Sequence, residues 1–167
     1  ERLDRERYEF MFVGRIDRWQ RWFESAVARR TIRRLSPYMR PRARFVEIGV
    51  GSGTLLAHAA ALGVDVSGCD LSTAVCDYVR EVHGISVNRG AVHTLPASSD
   101  YDIVVMNHVL EHAYDPIAML REVRDRLRPG GVVHIAVPNV ASWNARWSGW
   151  TSYAPYHLVY FTPETLQ

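Results

Sequence analysis

The pentapeptide HVLEH, residues 108–112, sets two imidazoles and a carboxylate within one short stretch. In the order H-x-x-E-H they match a signature of zinc-dependent hydrolases, where both histidines and the glutamate need one helical face. A second candidate lies upstream. VEIGVGSGT puts Gly49, Gly51 and Gly53 at alternate positions, a pattern that lets the backbone turn sharply and come close to a ligand. Asp70 follows at a distance where, in a dinucleotide-type site, a carboxylate accepts both hydroxyls of a ribose. A third is the aromatic run Trp143, Trp147, Trp150, Tyr153, Tyr156, Tyr160 and Phe161. Such a cluster shapes an apolar or ring-stacking pocket, or equally a small satellite core under a loop.

What must position these residues is an alternation of strand and helix beginning at Arg44. RFVEIG reads as a short buried strand, TLLAHAAALG as a helix stopped by Gly63, VDVSGCD as a second strand and TAVCDYVREVHG as a second helix stopped by Gly84. ISVNRG is a third strand, YDIVVMNHV a fourth, and VVHIAVP a fifth after the turn RPGG. Asp115 and Pro116 cap and open a helix that runs to about Arg128. The alternation predicts an α/β chain, a Rossmann-like doubly wound and mostly parallel sheet, with ligands outside the C-terminal ends of the strands. Every candidate above falls just after a strand.

Ahead of the sheet, Ile16, Trp19, Trp22, Phe23, Ala26, Val27 and Leu35 recur at helical spacing, and Ser36-Pro37 ends the pattern. The expected division is a helical arm or lid over 1–43, a ligand-binding core over 44–141 and an aromatic segment over 142–167. Tyr8, Phe10, Trp19 and Trp22 would close over the site as a lid, or pack on the sheet or on a second subunit.

This division bears on HVLEH. The pentapeptide follows an apolar strand and precedes the Asp115-Pro116 helix start, so its side chains do not share a helical face. No second metal-like cluster follows in the sequence, and no metal is expected.

All 20 basic residues are arginine. Residues 1–44 hold 13 of them against 6 acids, and residues 45–167 hold 7 against 12. A basic arm ahead of an acidic body suits an anionic partner such as nucleic acid; a solvated helix face is the plainer reading and is preferred. Cys69 and Cys76 form no CxxC pair and read as reduced thiols. There is no apolar run of about 20 residues to span a bilayer, and ERLDRERYEF lacks the apolar region of a signal peptide. A cytoplasmic protein is expected.

The glycine spacing discriminates further. A dinucleotide fingerprint is G-x-G-x-x-G, whereas here the third glycine comes one residue early and Glu47 stands two before the first. This E-x-G-x-G-x-G arrangement resembles the first motif of the class I S-adenosylmethionine (SAM) dependent methyltransferases. GCDLS resembles the second motif of that family. Leu95-Pro96, YDIVVMNHVLEH and DPIAMLREVRDRLRPGGVVHIAVPN follow in family order and spacing, and HLVYFTPETL resembles its small-molecule O-methyltransferase branch. The likeness runs from about residue 44 to the end.

The resemblance implies that Gly49, Gly51 and Gly53 floor the methionine part of SAM and that Glu47 holds its amino-acid end. Asp70 would bind the ribose and Leu71 would pack on adenine. Many relatives carry an acid after the third strand; here GAVHTL leaves Ala91 and Val92 to contact adenine through their backbone. Asn107 and His108 would border the sulfonium end, with Glu111 and His112 facing the acceptor. A hydroxyl acceptor needs a base near neutral pH, which suits His112 first and His157 second. His58, His83, His93 and His134 are expected in ordinary core or surface roles. The implied partner is a small-molecule acceptor methylated on oxygen. Nucleic-acid methylation, a nicotinamide-binding domain, a non-catalytic SAM-fold binding or scaffold protein and homo-oligomerisation stay open. The family has seven strands and five are counted here, so the expectation is a fragment lacking the last strands.

Overall fold

The protein is described by a computed structural model over residues 18–96, 100–146 and 156–166. Five strands form one sheet in the order β3-β2-β1-β4-β5, with β1 Arg44–Ile48, β2 Asp65–Asp70, β3 Asn88–Arg89, β4 Tyr101–Asn107 and β5 Leu127–Ala136. Every pairing is parallel. Phe45, Val46, Ile103, Val104, Val105 and Met106 are buried in the two central strands. Covered on both faces, those strands have no polar side to alternate, which is why YDIVVMN reads as a continuous apolar run. Full burial of each Val or Ile stabilises the fold by about 1.5–3 kcal/mol.

Among the described residues four helices cover the sheet: α1 Arg18–Leu35, α2 Thr54–Ala60, α3 Thr73–His83 and α4 Pro116–Arg126. Their ends follow local chemistry. Ser72 caps α3 by accepting from the N–H of Val75, 3.3 Å away, and Gly84 ends it in the left-handed region at φ +68°. Asp115 caps α4 by accepting from the N–H of Ala118 at 2.8 Å, with Pro116 in the first turn.

Three boundaries differ from expectation. β3 is two residues long rather than the six of ISVNRG, since only Asn88 and Arg89 reach a partner, the C-terminal end of β2. β4 stops at Asn107, because His108 turns to φ +55°. The RPGG segment does not separate helix from strand: α4 ends at Arg126, Leu127 already pairs with Tyr101, and pairing resumes at Val132–Ile103. Arg128–Gly131 is therefore a bulge inside β5.

α1 buries Ala28, Thr31 and Leu35 against the core, while Trp19, Trp22 and Phe23 remain exposed. The aromatic residues that suggested the packed stripe thus lie off the packed face. Residues 18–35 pack beside α2; Tyr8 and Phe10 lie outside the described residues.

At the N-terminal edge of the sheet, Asp102 is buried and accepts from the Arg44 N–H at 2.8 Å, from Arg40 at 2.9 Å and from Arg128. Burial pushes its carboxyl up, but these donors outweigh it and hold the group below the ordinary carboxylate range. That network fastens the end of the sheet remote from the glycine loop. Among the described residues no helix is long and apolar enough to cross a membrane.

Candidate functional site

β1 and β4 are neighbours whose following helices pack on opposite faces, which makes the region beyond their C-terminal ends the switch point where such sheets bind ligands. The glycine loop lies there. Gly49, Gly51 and Gly53 sit at φ +71°, +53° and +71°, backbone that L side chains rarely adopt. Two of them are also required by space. A Cβ on Gly49 would stand 2.5 Å from a methyl of Val109, and one on Gly53 would stand 2.9 Å from both methyls of Val79. The loop leaves the sheet with the Gly49 N–H donating to Cys69 O at 2.8 Å.

Two carboxylates approach this loop. Asp70 ends β2, where one oxygen accepts from the Ser72 N–H at 2.9 Å and the other from the Gly51 N–H at 3.4 Å. Burial raises its pKa, and the surrounding backbone N–H groups offset part of that rise. Glu47, on β1, is 4% exposed, and its Oε2 has no hydrogen-bond partner. Burial and then the charge of Asp70 push the Glu47 carboxyl well above the ordinary range. A buried carboxyl oxygen without a partner is costly, and a cationic group brought beside it would relieve that cost. The chain therefore offers a cation-accepting group beneath a glycine floor, with a backbone-held carboxylate one strand away.

His83 was expected in an ordinary role and has a particular one. From the last turn of α3 its Nε2 lies 2.9 Å from Ser52 O, so the imidazole fastens the middle of the loop. The signal was present in sequence only as a histidine at a helix end. Leu71 is exposed beside Asp70. Ala91 and Val92 flank a 3-10 turn; Val92 is buried, and the carbonyls of both already accept within the turn. A backbone contact from this pair to a ligand would thus come from N–H groups.

The HVLEH segment confirms that a shared helical face is absent. Leu110–His112 form a 3-10 turn directly after the β4 end. His108 donates through Nδ1 to a Glu111 carboxylate oxygen at 3.3 Å, while its side chain remains 69% exposed. The hydrogen bond to Glu111 raises the His108 pKa against the opposing effect of burial. For Glu111, burial pushes the carboxyl up, yet the bond to His108, its own N–H and the charges of His108 and His112 hold it below the ordinary range. This pair gives a pH signature. The histidine contribution is present below about pH 6.5 and lost as pH rises through the raised value; the glutamate contribution is present above about pH 4.5 and lost as pH falls through the lowered one. His108→Gln should therefore reduce stability most between those values, by less than about 1 kcal/mol because the histidine of the pair is largely exposed. Urea melts at pH 4, 5.5 and 8 check it; a pH-independent difference refutes the ion pair.

The sequence shows no second metal-like cluster after HVLEH, but the fold brings one further ligand-type residue to it. His157 is brought against it from far along the chain: its ring centroid lies 4.8 Å from that of His112. Backbone bonds tie the segments, with Leu158 N–H and Val159 N–H donating to Glu111 O at 2.8 and 3.2 Å. His112 Nδ1 lies 2.9 Å from Tyr156 O. Glu111, His112 and His157 are thus one cluster, and Val109, which touches Gly49, joins its loop to the glycine floor. Of the aromatic run, Trp143 is exposed, Tyr156 and Tyr160 flank His157, and Phe161 is buried. Trp147, Trp150 and Tyr153 lie outside the described residues. Thr162 accepts from the N–H groups of Thr165 and Leu166 in a hydrogen-bonded turn.

Comparison with known proteins gives these features a setting. A family model described as a methyltransferase domain matches residues 18–167. The ubiquinone biosynthesis O-methyltransferase of Parvibaculum lavamentivorans is 33% identical over 102 residues, covering 58% of this chain and 40% of that protein. Its counterpart from Cereibacter sphaeroides is 31% identical over 121 residues, covering 62% and 49%. The chain spans less than half the length of these relatives. Among solved structures, a SAM-dependent methyltransferase from Archaeoglobus fulgidus has a TM-score of 0.72 at 23% identity, covering 95% of this chain and 68% of that one. One from Thermotoga maritima has a TM-score of 0.66, also at 23%, covering 96% and 76%.

Sheet order and glycine loop are those of the class I SAM-dependent methyltransferases. The chain belongs to the methyltransferase-domain family. The nicotinamide alternative falls with that assignment.

Proposed function

We propose that this chain transfers a methyl group from SAM to an oxygen of a small aromatic molecule. The observation that supports the reading is the placement of the Glu47 carboxyl with its unpartnered Oε2, the loop-held carboxylate of Asp70 and the Glu111–His112–His157 cluster on β1, at the end of β2 and just after β4. The names of the ubiquinone biosynthesis relatives favour oxygen as the methylated atom.

The residues present fit the cofactor. Its α-ammonium group is the cation that the buried Glu47 oxygen lacks. Gly49, Gly51 and Gly53 floor its methionine part; a Cβ on Gly49 or Gly53 would intrude on Val109 or Val79, so glycine at these two positions lets the loop pack where it does. Asp70 holds the ribose hydroxyls, Leu71 covers one adenine face, and the N–H groups of Ala91 and Val92 meet the adenine edge. Asn107 and His108 border the reacting end. When bound, SAM supplies an activated methyl group on a cationic sulfur.

The protein's part is to align the acceptor, exclude water and take the acceptor's proton. Glu111, His112 and His157 carry that part. His112 is positioned by Tyr156 O through Nδ1, which leaves Nε2 as the atom that receives the proton; Glu111 supports the imidazoles electrostatically. We assign the described core, 44–141, to cofactor binding and 142–167 to the acceptor side. The buried free thiols of Cys69 and Cys76 suit a cytoplasmic protein.

Calorimetric titration with S-adenosylhomocysteine (SAH), set against NAD, tests the reading. Micromolar binding of SAH alone is expected, and no binding of SAH overturns it. Asp70→Ala should weaken SAH by about 1–3 kcal/mol, the range for hydrogen bonds to a charged group. Unchanged affinity refutes the ribose role.

A further inference from the structure

We propose that Glu111, His112 and His157 bind one divalent transition-metal cation, with zinc the best match to their chemistry. As a cation site the proposal stands on geometry; its place on the acceptor side rests on the methyl-transfer reading.

The ligand atoms available from the three residues lie within 4.8 Å of one another. A tetrahedral zinc with bonds of about 2.0–2.2 Å spaces its donors about 3.4 Å apart, so closing the site takes small side-chain rotations and no backbone movement. The backbone is already set. The bonds from Leu158 and Val159 to Glu111 O fix the strand bearing His157 against the 3-10 turn bearing the other two.

Each of the two turn residues is prepared in a way a surface cluster is not. His112 faces a carbonyl, Tyr156 O, through Nδ1; a carbonyl only accepts, so the proton is on Nδ1 and the Nε2 lone pair is left to coordinate. Metal-binding histidines are oriented in this manner by an outer hydrogen bond. Glu111 is 1% exposed and its Oε2 has no partner. Oε1 is engaged by His108, which makes the first histidine of H-x-x-E-H an outer support of the carboxylate rather than a ligand. Two imidazoles and one carboxylate form a donor set that suits zinc and leaves a fourth position open. An acceptor hydroxyl in that position would be held as its anion, its proton released to solvent, by the effect that acidifies metal-bound water. In the loaded protein His112 is then a ligand, and the acidity of the hydroxyl replaces the need for its basicity.

Cobalt(II) is the probe, added to the full 167-residue chain after treatment with a chelator and dialysis. The expected result is one cobalt per chain, visible absorption bands of low-coordinate Co(II), and their loss on adding zinc. His157→Ala should weaken cobalt binding by at least about tenfold, removal of a direct ligand costing more than the outer-shell changes that already cost 10–100-fold. SAH affinity and the melting temperature of His157→Ala should match wild type, and His112→Ala provides a second variant with the same expected loss. Absence of stoichiometric cobalt binding, or binding unchanged in both variants, overturns the site. SAH titration of the same preparation tests the methyl-transfer reading separately, so the failure of one is distinguishable from the failure of the other.

Discussion

His112→Ala lowers turnover about 10²–10⁴-fold, the range for removing a positioned proton-transfer group, while SAH binds as to wild type. The two halves of that expectation rest on different contacts. His112 touches Tyr156 O and packs its ring against those of Tyr156 and His157, at 5.6 and 4.8 Å. The loop that reaches the glycine floor does so through Val109, not through this imidazole. Turnover is read as SAH formed with the best substrate from a panel of phenols. Because alanine also releases the Tyr156 tether, His112→Asn is the companion variant: its amide can still donate to the carbonyl but can neither accept the proton nor coordinate a cation as the imidazole does. Both variants should be slow. If the imidazole is the base, wild type has a rate limb at lower pH that the variants lack, whereas the variants gain about tenfold per pH unit toward the phenol's own value near 10. If the cluster holds a cation, the wild-type limb disappears on chelation. A variant that loses SAH affinity in the same proportion as turnover refutes the acceptor-side role, and one with full activity refutes any role.

The half of the site proposed for the cofactor was legible in sequence as a loop and a strand end because its chemistry is local. Gly49, Gly51 and Gly53 lie in one turn whose positive φ angles only glycine adopts readily, and Asp70 ends the neighbouring strand. Both follow from the alternation of strand and helix. The half proposed for the acceptor was legible as residues but not as an arrangement. His112 and His157 were named as candidates on chemical type alone; what joins them is a set of backbone bonds from 158 and 159 to Glu111 O, invisible to any pattern of apolar periodicity. For the same reason HVLEH could be removed from a helix by its neighbours, yet its third partner could not be foreseen. The aromatic spacing of α1 misled, since Trp19, Trp22 and Phe23 share a helix with the buried residues but not their face. His83 and the Asp102 network were missed because each depends on elements that meet only in the fold.

Glu47→Gln weakens SAH binding by about 1.5–3 kcal/mol, the range for hydrogen bonds to charged groups, and raises the stability of the ligand-free protein at neutral pH. The opposite signs come from one fact, the burial of a carboxyl with an unpartnered oxygen. In the ligand-free protein burial and the nearby Asp70 charge raise its pKa well above the 4.5 of an exposed glutamate. A raised folded-state pKa on an acid means that the unfolded chain ionises first, so stability falls as pH rises from about 4.5 through the folded value. Glutamine keeps the shape without that loss, and its melting temperature should exceed that of wild type at pH 7 and match it near pH 4. Binding reverses the balance, because the ligand's ammonium group favours the ionised carboxylate. Wild type should consequently release a proton as SAH binds, read as a binding enthalpy that changes with the ionisation enthalpy of the buffer, and should bind less tightly at lower pH. Glu47→Gln should show neither effect. Equal affinities for the two proteins would remove Glu47 from the amino-acid end of the cofactor, whereas a loss of stability in the variant would mean that the ligand-free protein already holds the carboxylate in its charged form.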